Sequence, residues 1–513
     1  MKRQTLASLA ATSILLLLNS CERRPSAPPP EAEATVESIP KAAVIDQPAS
    51  IPGDWEWQPV SLPPLEGVIA QPYSGRPVYG LYCWENEYIE FREQIRKIGW
   101  RSLRLSGPIH DEVFKMFVED DIQVMFTMPA REPYRSPQFP QGKWRNRADF
   151  PTDEAFLEAY LGDITKVLNR YGPDGTFFKD HPELPKRPLE HIEIFNEPNF
   201  WYLDTGRNDT ANHYPPKDAA ARNAQNLSRQ KLYAKMLVAA HAHVKKGWPG
   251  VKTVGFAAGG AMSADVPFIR GVHQADPAVA KSYDILSTHP YTRPAAPELL
   301  HVRSFGKFSI ITGWNQIHDI MKQHGSAAKP IWWTELNWTI NPETGGGYSN
   351  EQTDPRGRGR DIPPDLQAAY LVRAYALAMR LGVQRTFYMS LIDTDGVNSG
   401  MFNKDRSWRP SANAIARMIQ LMPNPKLLEA PIDGKDGVFA YRFKSDIDDA
   451  DSAEVLMIWK AQGPATVENP WSQRPVELID TYGKTVTPEG VNGPVCVESL
   501  EIGPMPVYLR AAR

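Results

Sequence analysis

The stretch His191-Ile192-Glu193-Ile194-Phe195-Asn196-Glu197-Pro198 decides how the chain is read. Strand-forming positions from His191 to Phe195 run into a polar Asn-Glu pair and then a proline, which cannot continue a central strand. The same order recurs in Pro330-Ile331-Trp332-Trp333-Thr334-Glu335-Leu336, where a β-prone run again ends on a glutamate. A carboxylate set just past a buried strand is how the mouth of a parallel barrel presents its chemistry.

Outward from these two ends the pattern alternates. Strand-like runs at residues 78–83, 101–105, 122–128, 191–195, 253–257, 285–288, 330–334 and 385–390 each precede an amphipathic stretch, at 88–98, 112–119, 156–168, 231–244, 266–274, 310–323, 366–381 and 412–421. Eight βα units in series predict an α/β fold, a (β/α)8 TIM barrel over residues 77–422. Pro363-Pro364-Asp365 opens the seventh helix, where a missing N–H costs little and a negative charge suits the dipole, and Gly382 closes it. After Pro423 the helical period is lost. Runs at 438–443, 454–459, 476–480 and 507–510, separated by turn residues, predict a small C-terminal β-sandwich over 423–513, with some strands open to completion by the chain before the barrel.

The N-terminus reads as a processing signal. Lys2 and Arg3 precede an apolar run to Leu18, too short for an ordinary span. Leu18-Asn19-Ser20-Cys21 resembles a bacterial lipobox, so residues 1–21 are expected to be a lipoprotein signal with Cys21 lipidated and the protein anchored to a membrane. Glu22 favours the outer membrane, facing the periplasm or the cell surface. Residues 22–50 are rich in Pro, Ala and Glu and predict an extended tether; residues 51–76 predict an irregular lead-in against the body. Cys83 and Cys496 fall in different units and are expected to be unpaired.

Of the 513 residues 42% are hydrophobic, enough for a large core, and the net charge of −3 gives no basic field for nucleic acid. No cysteine–histidine spacing calls for zinc, no cofactor motif appears, and no G-x-S-x-G nucleophile elbow occurs. His241 and His243, two apart on a helix, point to different faces and read as non-functional. Asp393-Thr394-Asp395-Gly396 lacks EF-hand spacing and reads as a turn. Three strand-to-helix connections are long, roughly 129–151, 199–228 and 337–362, and carry many aromatics, among them Phe200, Trp201, Tyr202 and Trp338. Such rings around a barrel mouth suit stacking on sugars.

Cleaving a glycosidic bond needs a proton on the leaving oxygen and stabilisation of a cationic anomeric carbon, which a pair of carboxylates supplies. Asn196-Glu197-Pro198 after the fourth strand, with Glu335 ending the seventh, resembles clan A of the retaining glycoside hydrolases. Family 39 and family 5-like enzymes are the nearest patterns, and Arg409-Pro410-Ser411-Ala412 is similar to the segment opening the last helix in families 39 and 30. The resemblance implies a retaining O-glycosyl hydrolase acting on β-linked oligo- or polysaccharides, with Glu197 as acid/base and Glu335 as nucleophile. It further implies that Asn196 binds the sugar 2-hydroxyl, Arg104 pairs with the nucleophile, Tyr291 hydrogen-bonds it, and His289 shapes the same subsite. Where the clan often carries a tryptophan after strand eight this chain has Phe387-Tyr388-Met389-Ser390, which leaves Tyr388 or Trp408 as the sugar platform. A non-catalytic carbohydrate-binding lipoprotein on the same scaffold, or a transglycosylase using the same residues, are the alternatives.

Overall fold

A computed structural model of the chain describes residues 58–69, 77–107, 109–128, 147–200, 203–204, 218–259, 264–303, 306–340, 362–393, 398–486 and 493–512. In chain order the barrel strands and their neighbours are β1 (Tyr79–Cys83), β2 (Ser102–Ser106), β3 (Gln123–Met128), β4 (His191–Ile194), β5 (Lys252–Ala258), β6 (Ile285–Thr288), a short hairpin of β7 (His301–Arg303) and β8 (Gly306–Phe308), β9 (Ile331–Leu336) and β10 (Arg385–Met389). The helices are α1 (Leu65–Ile69), α2 (Glu85–Ile98), α3 (Asp111–Glu119), α4 (Asp153–Tyr171), α5 (Phe177–Asp180), α6 (Ala219–Gly247), α7 (Asp265–Ala275), α8 (Ile310–Gln323), α9 (Pro364–Arg380) and α10 (Pro410–Leu421). Strands β1–β6, β9 and β10 close into a parallel barrel in the order β1-β10-β9-β6-β5-β4-β3-β2. This is the TIM barrel the sequence predicts.

Each strand alternates between the barrel interior and the helical layer. At the amino-terminal end the interior is plugged by Met125, Val254, Ile285, Trp332 and Phe387, one contiguous buried cluster. The outward positions pack on the helices. Helix α6 runs much further than its apolar period indicates. Its first turns, from Ala219 to Ser228, are exposed or half-buried, and burial begins at Arg229. Periodicity marks only the part that packs, while the start is set by Asp218, whose side chain accepts from the Ala221 N–H at 2.7 Å.

The last part of the chain is β11 (Lys426–Asp433), β12 (Val438–Lys444), β13 (Glu454–Lys460), β14 (Ala465–Glu468), β15 (Val476–Ile479), β16 (Ser499–Ile502) and β17 (Val507–Ala511). A five-stranded antiparallel sheet, β11-β12-β13-β17-β15, faces a two-stranded one, β14-β16. The period of two sorts its side chains. Val438, Ala440, Leu456, Ile458, Leu478 and Leu509 fill the space between the two sheets, with Leu500 and Ile502 from β16. Phe439, Tyr441, Phe443, Met457, Trp459 and Tyr508 turn the other way and join the core of the barrel. The sandwich is therefore joined to the barrel through a shared apolar layer. At its centre the buried carboxylate of Glu298 accepts from Arg373 Nε and Trp459 Nε1, each at 2.9 Å.

The lead-in is not wholly irregular, since it contains α1. It lies on the body through Ser61 and Pro63, whose carbonyls accept from Asn315 and Arg380 at 2.7 and 2.8 Å. It supplies no strand to the sandwich among the described residues; β11, which the sequence reading missed, is the strand that flanks β12. No helix among the described residues is long and apolar enough to cross a membrane. Cys21 and the tether lie outside the described residues, and Cys83 and Cys496 are both free.

Candidate active site

The carboxyl ends of β2, β4, β6 and β9 converge on one polar cluster. Arg104, inward on β2 and fully buried, has three partners. Its Nη1 donates to Glu335 Oε1 at 2.5 Å, its Nη2 to Asn196 Oδ1 at 2.7 Å, and its Nε to Glu193 Oε2 at 2.7 Å. An arginine can only donate, so the oxygen of Asn196 faces it and the amide NH2 points away. Glu335 Oε2 accepts from Tyr291 Oη at 2.6 Å. His289 Nδ1 lies 3.2 Å from Glu197 Oε1 and 3.5 Å from Glu335 Oε2, between the two acids. A carboxylate oxygen of Glu197 and one of Glu335 are no more than 4.8 Å apart.

Local backbone irregularity aims these groups. Trp332 and Glu335 both face the interior although they are three positions apart, an odd offset that strict alternation would send to opposite faces. The register of β9 against β10 slips between Trp333 and Leu336, a bulge that turns Glu335 inward. A second slip occurs on β5 against β6 between Gly255 and Ala258. Phe195 and Glu197 adopt left-handed φ values of 68° and 48°, as do Phe256 and Ala257 on the neighbouring strand at 85° and 41°. Non-glycine residues held there cost about 1–3 kcal/mol each, so the surroundings must fix them. Buried Tyr233 spans both bends, its Oη donating to the Ile194 carbonyl at 2.8 Å and accepting from the Phe256 N–H at 2.6 Å. Tyr160 Oη accepts from the Phe195 N–H at 3.0 Å, and the Glu197 N–H donates to the Ala257 carbonyl at 3.0 Å.

The charges are distributed unevenly. Burial alone would raise the Glu335 carboxyl, but His289, the Arg104 guanidinium and the Tyr291 hydroxyl outweigh it and hold the group below the usual carboxylate range. Burial would lower His289, but the Glu335 charge and the hydrogen bond to Glu197 outweigh that and raise it, so the imidazole tends to keep its proton. Burial and the nearby Glu335 push the Tyr291 hydroxyl well above its ordinary value, so it acts as a donor. Glu197, Glu335 and His289 also form the one triple among the described residues whose atoms a cation could bridge. Arg104 places a fixed positive charge against Glu335 in the same cluster.

Two residues expected to bind the sugar are turned elsewhere. On β10 the alternation sends Phe387 to the interior plug and Met389 to the mouth, where its sulfur lies 3.5 Å from Tyr291 Oη. Tyr388 therefore faces the helical layer, fully buried, with Oη donating to the Ser399 carbonyl at 2.7 Å. It is a core residue, and Met389 is the strand-eight side chain at the site. Trp338 is 1% exposed, packs edge-on against Tyr370 and donates from Nε1 to the Ala295 carbonyl at 2.9 Å. It pins the chain that follows Tyr291 and has no face for a sugar. Trp408 is half-buried on Phe402 and touches none of the polar cluster among its described contacts. Trp201 lies outside the described residues. Asp393 accepts from both Arg409 Nη atoms, at 2.8 and 2.7 Å, and so serves as a turn anchor. His241 and His243 meet Thr253 and Thr165 on the outer surface of the barrel.

The residue the sequence reading missed is Glu193. It is fully buried on β4, accepts from Thr127 Oγ1 at 2.8 Å as well as from Arg104, and balances that arginine's charge. Its signal was available: a carboxylate within the apolar run Ile192-Glu193-Ile194 needs a buried cation, and Arg104 in Leu103-Arg104-Leu105 is the matching anomaly.

No family model matches the chain, and no curated protein matches it. Solved structures do. A family 39 glycoside hydrolase from the gut symbiont Bacteroides cellulosilyticus WH2 is 21% identical, over 85% of this chain and 81% of that one, with a TM-score of 0.57. A family 39 β-xylosidase from Caulobacter crescentus is 13% identical, over 86% of this chain and 98% of that one, with a TM-score of 0.50. A family 51 α-L-arabinofuranosidase from Thermotoga petrophila RKU-1 is 11% identical, over 86% and 98%, with a TM-score of 0.50. The chain shares the barrel fold of clan A glycoside hydrolases.

Proposed function

We propose that the protein is a retaining glycoside hydrolase that cleaves β-linked glycosides in oligo- or polysaccharides by double displacement. The observation that carries this reading is the spacing of Glu197 and Glu335, no more than 4.8 Å between nearest oxygens, together with their unequal surroundings. Retaining enzymes keep their carboxyl groups about 5–5.5 Å apart, whereas inverting enzymes leave about 6.5–9.5 Å for a water.

Glu335, kept ionised by Arg104, Tyr291 and His289, attacks the anomeric carbon. The leaving oxygen takes a proton from Glu197, whose carboxylate Oε1 lies 3.2 Å from His289 Nδ1. The C–O bond to the leaving group breaks as the glycosyl–Glu335 ester forms. Water then gives a proton to ionised Glu197 and attacks the same carbon, which restores both carboxyls and returns the sugar with its original configuration. Asn196, its oxygen tied to Arg104, offers its amide N–H to the sugar 2-hydroxyl.

The test is a screen of the body, residues 51–513, against aryl β-glycosides and polysaccharides, with the first product anomer read by proton NMR. Appearance of the β anomer first is expected; the α anomer first, or no hydrolysis of any substrate, overturns the reading. The location belongs to the same proposal: Cys21 carries lipid and holds the enzyme at a membrane surface. Metabolic labelling with an alkyne fatty acid should tag the native chain and leave a Cys21→Ala variant untagged.

A further inference from the structure

The strand that neighbours Glu197 ends in a glycine whose backbone does not require one. Gly259 follows β5 directly, and its φ lies outside the left-handed region that favours glycine. Space is what it provides. A Cβ built at this position would fall 2.1 Å from Glu197 Oε1, 2.7 Å from Glu197 Cδ and 2.9 Å from Phe200 Cε2. The Glu197 carboxyl rests in the volume that any side chain at position 259 would take.

The glycine is also held there. Asn199, nearly buried, brackets the Gly259 backbone. Its Oδ1 accepts from the Gly259 N–H at 3.0 Å and its Nδ2 donates to the Gly259 carbonyl at 2.6 Å. Asn199 is anchored in turn, its own carbonyl accepting from Arg229 Nη1 at 3.5 Å while Arg229 pairs with Asp204. Two amide hydrogen bonds thus tie the end of one strand to the segment that carries the acid, two residues from Glu197.

We propose that Gly259 and Asn199 are positioning residues for Glu197. Gly259 forms a bare backbone seat for the carboxyl, and Asn199 fixes the height and distance of that seat. The inference rests on Glu197 being the acid/base. Relief of a 2.1 Å contact requires the carboxyl to retreat by about 1 Å or more. A displacement of that size costs about 10²-fold when a proton must be delivered in line. The nucleophile on β9 is untouched, so the loss should follow the demand for protonation.

That demand can be varied through the leaving group. A phenyl glycoside needs the acid, and a 2,4-dinitrophenyl glycoside hardly does. The two substrates are compared by kcat/KM on the full enzyme, in the aryl β-glycoside series it cleaves fastest among xylosides, glucosides, galactosides and arabinosides. Gly259→Ala should lower the phenyl value about 10²-fold and the dinitrophenyl value less than about threefold. Asn199→Ala should show the same selectivity with a smaller loss, and it decides the matter if Gly259→Ala does not fold, folding being checked by near-UV circular dichroism. Equal losses on both substrates in a folded variant, or no loss on either, overturn the proposal. Glu197→Ala separates the two levels of failure. If it keeps strong leaving-group dependence while the Gly259 and Asn199 variants have none, only this inference falls; if it loses both substrates equally, the acid/base assignment falls with it.

Discussion

Glu335 and Glu197 stand within 4.8 Å of each other at the carboxyl ends of the strands and have opposite surroundings. Glu335 is buried and meets a guanidinium, a phenol and an imidazole. Glu197 is more exposed, meets the imidazole alone among the described side chains that hydrogen-bond it, and rests against a strip of bare backbone at Gly259. A group that must stay ionised is surrounded by donors that oppose protonation. The proposed acid/base has the shared imidazole of His289 beside it, and bare backbone at Gly259 shapes its seat. Charge defines the first carboxylate and geometry the second.

The largest expected effect breaks the charged side. Glu335→Gln should lower kcat by at least about 10⁴-fold on every substrate, because the proposed mechanism forms its ester on this carboxylate. Turnover within tenfold of wild type would remove the distinction altogether. Glu197→Gln comes next: a fall of about 10²–10⁴-fold in kcat/KM for phenyl glycosides, with azide restoring turnover of activated ones and yielding a glycosyl azide of retained configuration. No rescue by any small nucleophile would mean that Glu197 is not the base of the second step.

A third change sharpens the electrostatic contrast. Arg104→Lys keeps a charge but cannot reach Glu335, Asn196 and Glu193 together. On the proposed mechanism the ionised form of Glu335 is the active one, and its folded value is lowered. Activity is therefore present above that value and lost as pH falls through it. The same holds for the stability this carboxylate contributes, which fades as pH drops from the unfolded carboxylate range through the lowered folded one. Weakening Arg104 should move the acid limb of kcat/KM upward by about one pH unit; a limb that stays put or moves down contradicts the assignment. The smallest effect is expected from Tyr291→Phe, which removes one hydrogen bond to a charge: about tenfold in kcat/KM, with the acid limb shifted up by less than for Arg104→Lys.

The barrel was legible because each buried parallel strand is an apolar run that stops at polar residues. The strand read at 285–288 and the helix read at 310–323 coincide with β6 and α8. What sequence could not carry was facing. Tyr388 and Trp338 are aromatic residues at the right height on the barrel but on the wrong side of it, and only register separates Tyr388 from Met389. The bulge that turns Glu335 inward leaves no mark in Trp333-Thr334-Glu335-Leu336, since its cause is pairing with β10. Strand β11 was missed because its residues are nearly all half-buried or exposed, so neither alternation nor a continuous apolar run appears. Glu193 was legible and overlooked: a charge inside an apolar strand has to be answered by another.

The most direct measurement is covalent trapping. The enzyme is incubated with a 2-deoxy-2-fluoro-β-glycosyl fluoride of the sugar it cleaves, and the digest is analysed by mass spectrometry. The expected result is one equivalent of fluorosugar on the peptide containing Trp332 to Leu336, esterified at Glu335 and absent from a Glu335→Gln variant. Label on Glu197 or on another residue, or inactivation without a covalent adduct, would contradict the account.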